Sequence, residues 1–170
     1  FRTTDEEALA AALKRRRVTQ YRIVPPKNGW TSLYEEEASW QNEARLRVLA
    51  GGLSKDLHVT AVAFMVHDSD IACYWLFDDG RLLDQYNSCP DYFDDDAAET
   101  PASPAGGRTD VVLPHCRPGV RQDDLATILA EDAVFAESVI EGLADQLANV
   151  ALPTEGWDAC ERLLEARGAR

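Results

Sequence analysis

His67-Asp68-Ser69-Asp70 places an imidazole and two carboxylates within four residues, a group able to move a proton or to help hold a hard cation. It lies between two apolar runs, Val59 to Val66 and Ile71 to Phe77, so the sequence predicts a hairpin tip there. Alternation along a strand sends neighbouring side chains to opposite faces, which limits how many of the three meet. Asp and Ser also form turns by bonding their own backbone, and that role alone accounts for the pattern. His67, Asp68 and Asp70 are the candidate catalytic residues of the tip, and Asp91 or Asp94 would have to join Asp68 and Asp70 to make an oxygen site for a cation. Cys116 is the fourth candidate. Its neighbour His115 is adjacent in the chain, whereas a nucleophile and its base usually come from separate segments, so His67 or His58 would have to serve as base. His115, Cys116 and Cys89 are zinc-type ligands, but no recognised spacing supplies a fourth. The sequence therefore assigns no metal and no cofactor. It carries no phosphate loop, nucleophile elbow, HExxH or EF-hand pattern either.

A second group is built for contact rather than reaction. Tyr92 and Phe93 follow Pro90 and precede Asp94, Asp95 and Asp96, an aromatic pair set in acid, which is the form of a protein-binding anchor. A loop tucked onto the domain by its two aromatics is the simpler account. Charge points the same way: the net −13 is uneven, with 10 basic and 8 acidic side chains in residues 1–58 against 7 and 22 in residues 59–170. Such a surface repels phosphate backbones and attracts cations or a basic protein, so no nucleic-acid partner is expected outside the patch Lys14 to Arg17. Solubility alone would also explain the acidity.

The elements that must position these groups follow from periodicity and turn chemistry. Asp5, Glu6 and Glu7 open a helix that closes on Lys14 to Arg17. Gln20 to Val24 is predicted as a strand stopped by Pro25-Pro26, and Lys27-Asn28-Gly29 turns it into a second strand, Trp30 to Tyr34. Glu35-Glu36-Glu37 begins a helical region through Leu53, weakened by Gly51-Gly52. A three-stranded meander follows: Val59 to Val66, apolar on both faces and so expected to be central; Ile71 to Phe77; and the more polar Arg81 to Asn87, expected nearer an edge. Asp91 to Asp110 lacks periodicity and is predicted to be a flexible acidic loop. Val111 to Leu113 suggests a short strand, and helices are expected through residues 121–168.

The fold class is thus α+β, one domain over residues 1–170: an antiparallel sheet of about five strands, made of a two-strand hairpin, a helix and a three-strand meander, with helices mainly on one face and a helical C-terminus. Four widely spaced cysteines with no CxxC suit a reduced, cytoplasmic protein. The chain begins at Phe1 without a basic-then-apolar leader, and no apolar run approaches the about 20 residues of a membrane span, so neither secretion nor membrane insertion is expected.

Over roughly residues 4–90 this element order resembles the roadblock and longin domains of the profilin-like architecture. The segments GWTSLYEEE, VHDSDIACYWLFDDG and YNSCPDYF are also similar to uncharacterised bacterial proteins with no assigned activity. These resemblances imply a fold and a bacterial source, and no chemistry. The leading expectation is a non-enzymatic, regulatory or immunity-like module that offers an acidic surface to a protein partner. The alternatives are a metal-dependent or hydrolytic enzyme working from His67, Asp68 and Asp70, and a profilin-like small-molecule sensor. Oligomeric state is left open.

Overall fold

The computed structural model describes residues 1–68, 70–92, 103–130 and 136–148. Helix α1, Glu6–Arg15, starts where the Asp5 carboxylate accepts the Ala8 N–H at 2.8 Å, and its Glu6, Glu7, Lys14 and Arg15 complement the helix dipole. Leu9, Ala12 and Leu13 form its buried stripe. Strands β1 (Tyr21–Lys27) and β2 (Trp30–Glu35) form the first hairpin, and Asn28 and Gly29 both take positive φ as a two-residue turn of this kind requires. Pro25-Pro26 does not end β1. The prolines fall in a register shift between Val24 and Lys27, where an unpaired backbone N–H is not needed.

Helix α2, Glu43–Leu57, begins later than the acidic run suggests. Glu35 stays in β2 and its carboxylate turns back to accept the Ala38 N–H at 2.9 Å, shaping a short 3-10 turn, Ala38–Trp40, before Asn42 caps α2 through the Arg45 N–H. The two glycines inside α2 are packing devices. A Cβ on Gly51 would sit 3.0 Å from the Phe77 ring, and one on Gly52 would strike the Arg16 guanidinium, which bonds the Gly52 C=O at 2.8 Å and Asp56 at 2.8 Å.

Strands β3 (Thr60–His67), β4 (Ile71–Asp78) and β5 (Arg81–Asn87) form the expected meander, and β6 (Ala105–Gly106) adds to β5. The order β3-β4-β5-β6 gives the central place to β4, so the expectation that Val59 to Val66 is central is corrected: β3 is an edge strand. Apolar content on both faces reports cover above and below a strand, and does not report hydrogen-bonded neighbours on its two sides. β4 is the strand buried throughout, from Ile71 to Phe77. Its alternating side chains serve two layers. Ile71, Cys73, Trp75 and Phe77 pack with Ala63 and Ala50 beneath α2. Ala72, Tyr74 and Leu76 pack with Tyr86 beneath the C-terminal helices α3 (Thr109–Val112), α4 (Gln122–Leu129) and α5 (Ala136–Ala148), through Val112, Leu125, Leu129, Val139, Ile140 and Leu143. Helices therefore cover both faces of the meander rather than mainly one, because β4 has no polar face to leave in water.

The α+β class with antiparallel strands and a helical C-terminal region holds. The hairpin is a separate two-stranded sheet, joined to the larger one by residues 1–3: Phe1 and Thr31 exchange backbone hydrogen bonds at 3.0 and 2.8 Å, and the Arg2 N–H reaches the Thr60 C=O at 2.8 Å. α1 packs on α2 and the hairpin in a further cluster of Leu9, Leu13, Leu49 and Leu53 with Ile23 and Leu33. The stretch 103–110, expected to be loop, carries β6 and the start of α3, and Val111 and Val112 are helical rather than extended. Their N–H groups bond the Arg108 C=O, and Arg108 is held by Asp84. Among the described residues no helix is long and apolar enough to cross a membrane.

Candidate functional site

The β3–β4 turn and the chain leaving β5 meet at one end of the sheet. Asp68 takes a left-handed conformation, φ 49, and the Asp70 N–H closes the turn on the His67 C=O at 3.0 Å. Beyond β5, Ser88 prolongs the pairing with β4: its N–H reaches the Ala72 C=O and its hydroxyl accepts the Ala72 N–H at 2.9 Å. Asn87 then caps the Cys89 N–H, and the Tyr92 N–H bonds the Cys89 C=O, so the chain folds back over the tip. Tyr92 donates its hydroxyl to Asp70 Oδ2 at 3.2 Å and sets its ring edge-on to His67, with centroids 6.0 Å apart. His67 Nε2 lies 3.4 Å from Asp68 Oδ2. The structure thus brings together His67, Asp68, Asp70 and Tyr92, three catalytic candidates and one binding candidate that the sequence treats as separate groups. Spacing alone gave no signal for this union, which needs the turn after Asn87.

The surface of the tip is acidic and open. Asp68 is 67% exposed and Tyr92 41%. Among the described residues neither Asp68 nor Asp70 has a lysine or arginine partner. The bond to Asp70 raises the Tyr92 phenol above its ordinary value, so the hydroxyl stays a donor. Phe93, Asp94, Asp95 and Asp96 lie outside the described residues.

Cys116 does not join the tip. It follows the 3-10 turn Leu113–His115, its Sγ faces the Val112 C=O at 3.6 Å, and it packs on the core beneath the C-terminal helices. Cys89 packs on the opposite face of the sheet, so the His115, Cys116 and Cys89 set is not assembled. Among the described residues no group of three His, Cys, Asp or Glu side chains is placed to hold a metal ion. Burial pushes the Cys116 thiol up to about 11 and the Cys73 thiol up to about 12, and burial with the Asp91 hydrogen bond raises Cys89. All three are neutral thiols near pH 7, poor nucleophiles.

One polar group outside the candidate sets is more buried than any tip residue. Asp84, 7% exposed, accepts the Tyr74 hydroxyl at 2.6 Å, the Arg108 N–H at 2.9 Å and Arg108 Nε at 3.3 Å. Its partner Tyr74 belongs to the layer beneath the C-terminal helices, on the face of the sheet opposite Cys89. His115 Nδ1 is buried with no hydrogen-bond partner among the described residues. Burial lowers the His115 pKa, opposed by the Asp78 carboxylate and aided by Arg2. The folded state then binds its proton later than the unfolded chain. The stability this gives is complete above the unfolded value of 6.5 and is lost as pH falls through the lower folded value. Denaturant midpoints followed downward from neutral pH should fall in the wild type, and His115→Leu should flatten that slope.

No protein-family model, curated protein or solved structure matches this chain. What the fold and site define is an antiparallel α+β domain with an acidic, tyrosine-bearing hairpin tip.

Proposed function

We propose that the chain is a non-enzymatic binding module, regulatory or immunity-like, that presents this tip to a basic protein partner. The observation that carries it is the joining of Tyr92 to Asp70, with Asp68 beside it on the same tip, in one exposed cluster where, among the described residues, no guanidinium or ammonium neutralises the carboxylates. An aromatic ring held at its edge by its own hydroxyl supplies contact area at little cost in side-chain freedom, and the carboxylates steer a cationic surface onto it. The excess of acid over residues 59–170 extends the same field. A cytoplasmic setting and the absence of a nucleic-acid partner belong to this proposal.

The hydrolytic alternative draws on His67 beside Asp68, a base with a carboxylate to orient it. It lacks support from a nucleophile: the described thiols are held neutral and Cys116 lies in a different layer. The test is kinetic. A partner captured at low ionic strength should associate about tenfold more slowly at high ionic strength, and a similar loss should follow Asp68→Asn with Asp70→Asn and Tyr92→Ala. An association rate that ignores both salt and these substitutions rejects the module. A hydrolytic activity abolished by His67→Ala would assign the tip to the enzyme instead.

A further inference from the structure

β3 offers a backbone edge that the rest of the sheet leaves open. Its register with β4 runs unbroken from Thr60↔Asp78 to His67↔Ile71, so backbone groups alternate between the two sides of the strand. Arg2 reaches the Thr60 C=O from the outer side, which also places the N–H and C=O of Val62, Phe64 and Val66 outward. The far side of β4 agrees: Ala72, the partner of Val66, turns both its backbone groups to Ser88. Among the described residues no hydrogen bond meets Val62, Phe64 or Val66 from outside. From Thr60 to Val66 there is no charge, proline, glycine or bulge, the features by which edge strands ordinarily avoid pairing.

We propose that this edge pairs with the same edge of a second copy of the chain, antiparallel about a two-fold axis through Phe64. The outward set Val62, Phe64, Val66 reads the same in both directions. In this register Phe64 exchanges two hydrogen bonds with Phe64 of the second copy, and Val62 exchanges two with Val66, so all six outward groups of each strand are satisfied. Arg2, docked at Thr60, bounds the free edge. The same register sets Asp68 of one copy at the level of Thr60 in the other, where it abuts the exposed Arg2. Asp68 has no lysine or arginine partner within its own chain among the described residues. Two chains of net charge −13 therefore meet along an uncharged strip flanked by opposite charges. This inference goes beyond the docking tip and does not depend on it.

Sedimentation of the full chain from micromolar to millimolar concentration should show the mass rising from one chain to two. Hydrogen exchange at the Val62, Phe64 and Val66 amides should slow in step, while Ala61, Ala63 and Met65, bonded to β4, stay protected throughout. A single-chain mass at every concentration overturns the proposal, as does protection of the three outward amides that is independent of concentration, which would mean that the edge is covered by the chain itself. Val66→Pro removes only an outward N–H and should abolish the dimer with an unchanged far-ultraviolet spectrum. If that variant fails to fold, Arg2→Glu and Asp68→Arg provide the second arm. Each should weaken dimerisation about tenfold and the pair together should restore it, and failure of the restoration overturns the register.

Discussion

Tyr74→Ala should lower the unfolding free energy by about 3–5 kcal/mol, the range for deleting a buried aromatic side chain. Tyr74 is 1% exposed in the middle of β4, stacks on Tyr86 with centroids 5.7 Å apart, and donates to Asp84 at 2.6 Å. Truncation leaves a cavity between the sheet and the C-terminal helices and takes a donor from a buried carboxylate. Tyr74→Phe separates the two effects, because it keeps the ring and should cost about 1–3 kcal/mol for the lost hydrogen bond alone. Burial, then Asp84, raises the Tyr74 phenol above its ordinary value, so the hydroxyl stays a donor near neutral pH. Denaturant unfolding monitored by tryptophan fluorescence measures both. An alanine variant that loses less than the phenylalanine variant would contradict the packing.

Arg45→Met should cost about 3 kcal/mol, the low end for breaking a buried ion pair. Glu35 is 5% exposed, and Arg45 grips it with two nitrogens, Nη2 at 2.7 Å and Nε at 3.3 Å, while also reaching Glu37 at 3.1 Å. The Glu35 hydrogen bond, with lesser help from Glu37, raises the Arg45 pKa against its desolvation, so the guanidinium stays charged. The low end applies because Arg45 keeps some contact with water. Adding Glu35→Gln to Arg45→Met should recover part of the loss, since the cost is that of a buried charge without its counter-ion. Unfolding midpoints of the two single variants and the double variant complete the cycle, and strictly additive losses would show that the pair carries no coupling.

Much of the fold is written locally. Asp5 with Glu6 and Glu7, closed by Lys14 and Arg15, marks α1 because caps and helix-end charges act within one turn. Asn28-Gly29 and Asp79-Gly80 mark two hairpins because both positions of each turn need positive φ. The start of α2 is not legible locally, since Glu35 through Glu37 suits a helix, while the partner that holds Glu35 at the end of β2 is Arg45, ten residues away. Val111 and Val112 favour strand by type, yet the burial of Val112 beneath α4 and α5 makes them a helical turn.

The α+β class, the hairpin and meander, the tip residues and the acid imbalance are legible in the chain, because all of them rest on near neighbours or on composition. Tertiary structure alone decided which strand is central, because hydrogen-bonded neighbours leave no mark on a strand's own side-chain pattern. It alone divided the helices between two faces, and it alone laid Tyr92 across Asp70 while placing Cys89 and Cys116 on opposite sides of the sheet. Each of these depends on how a turn of a few residues directs the chain in space, and such a direction is set by the packing of distant apolar faces rather than by the residues of the turn.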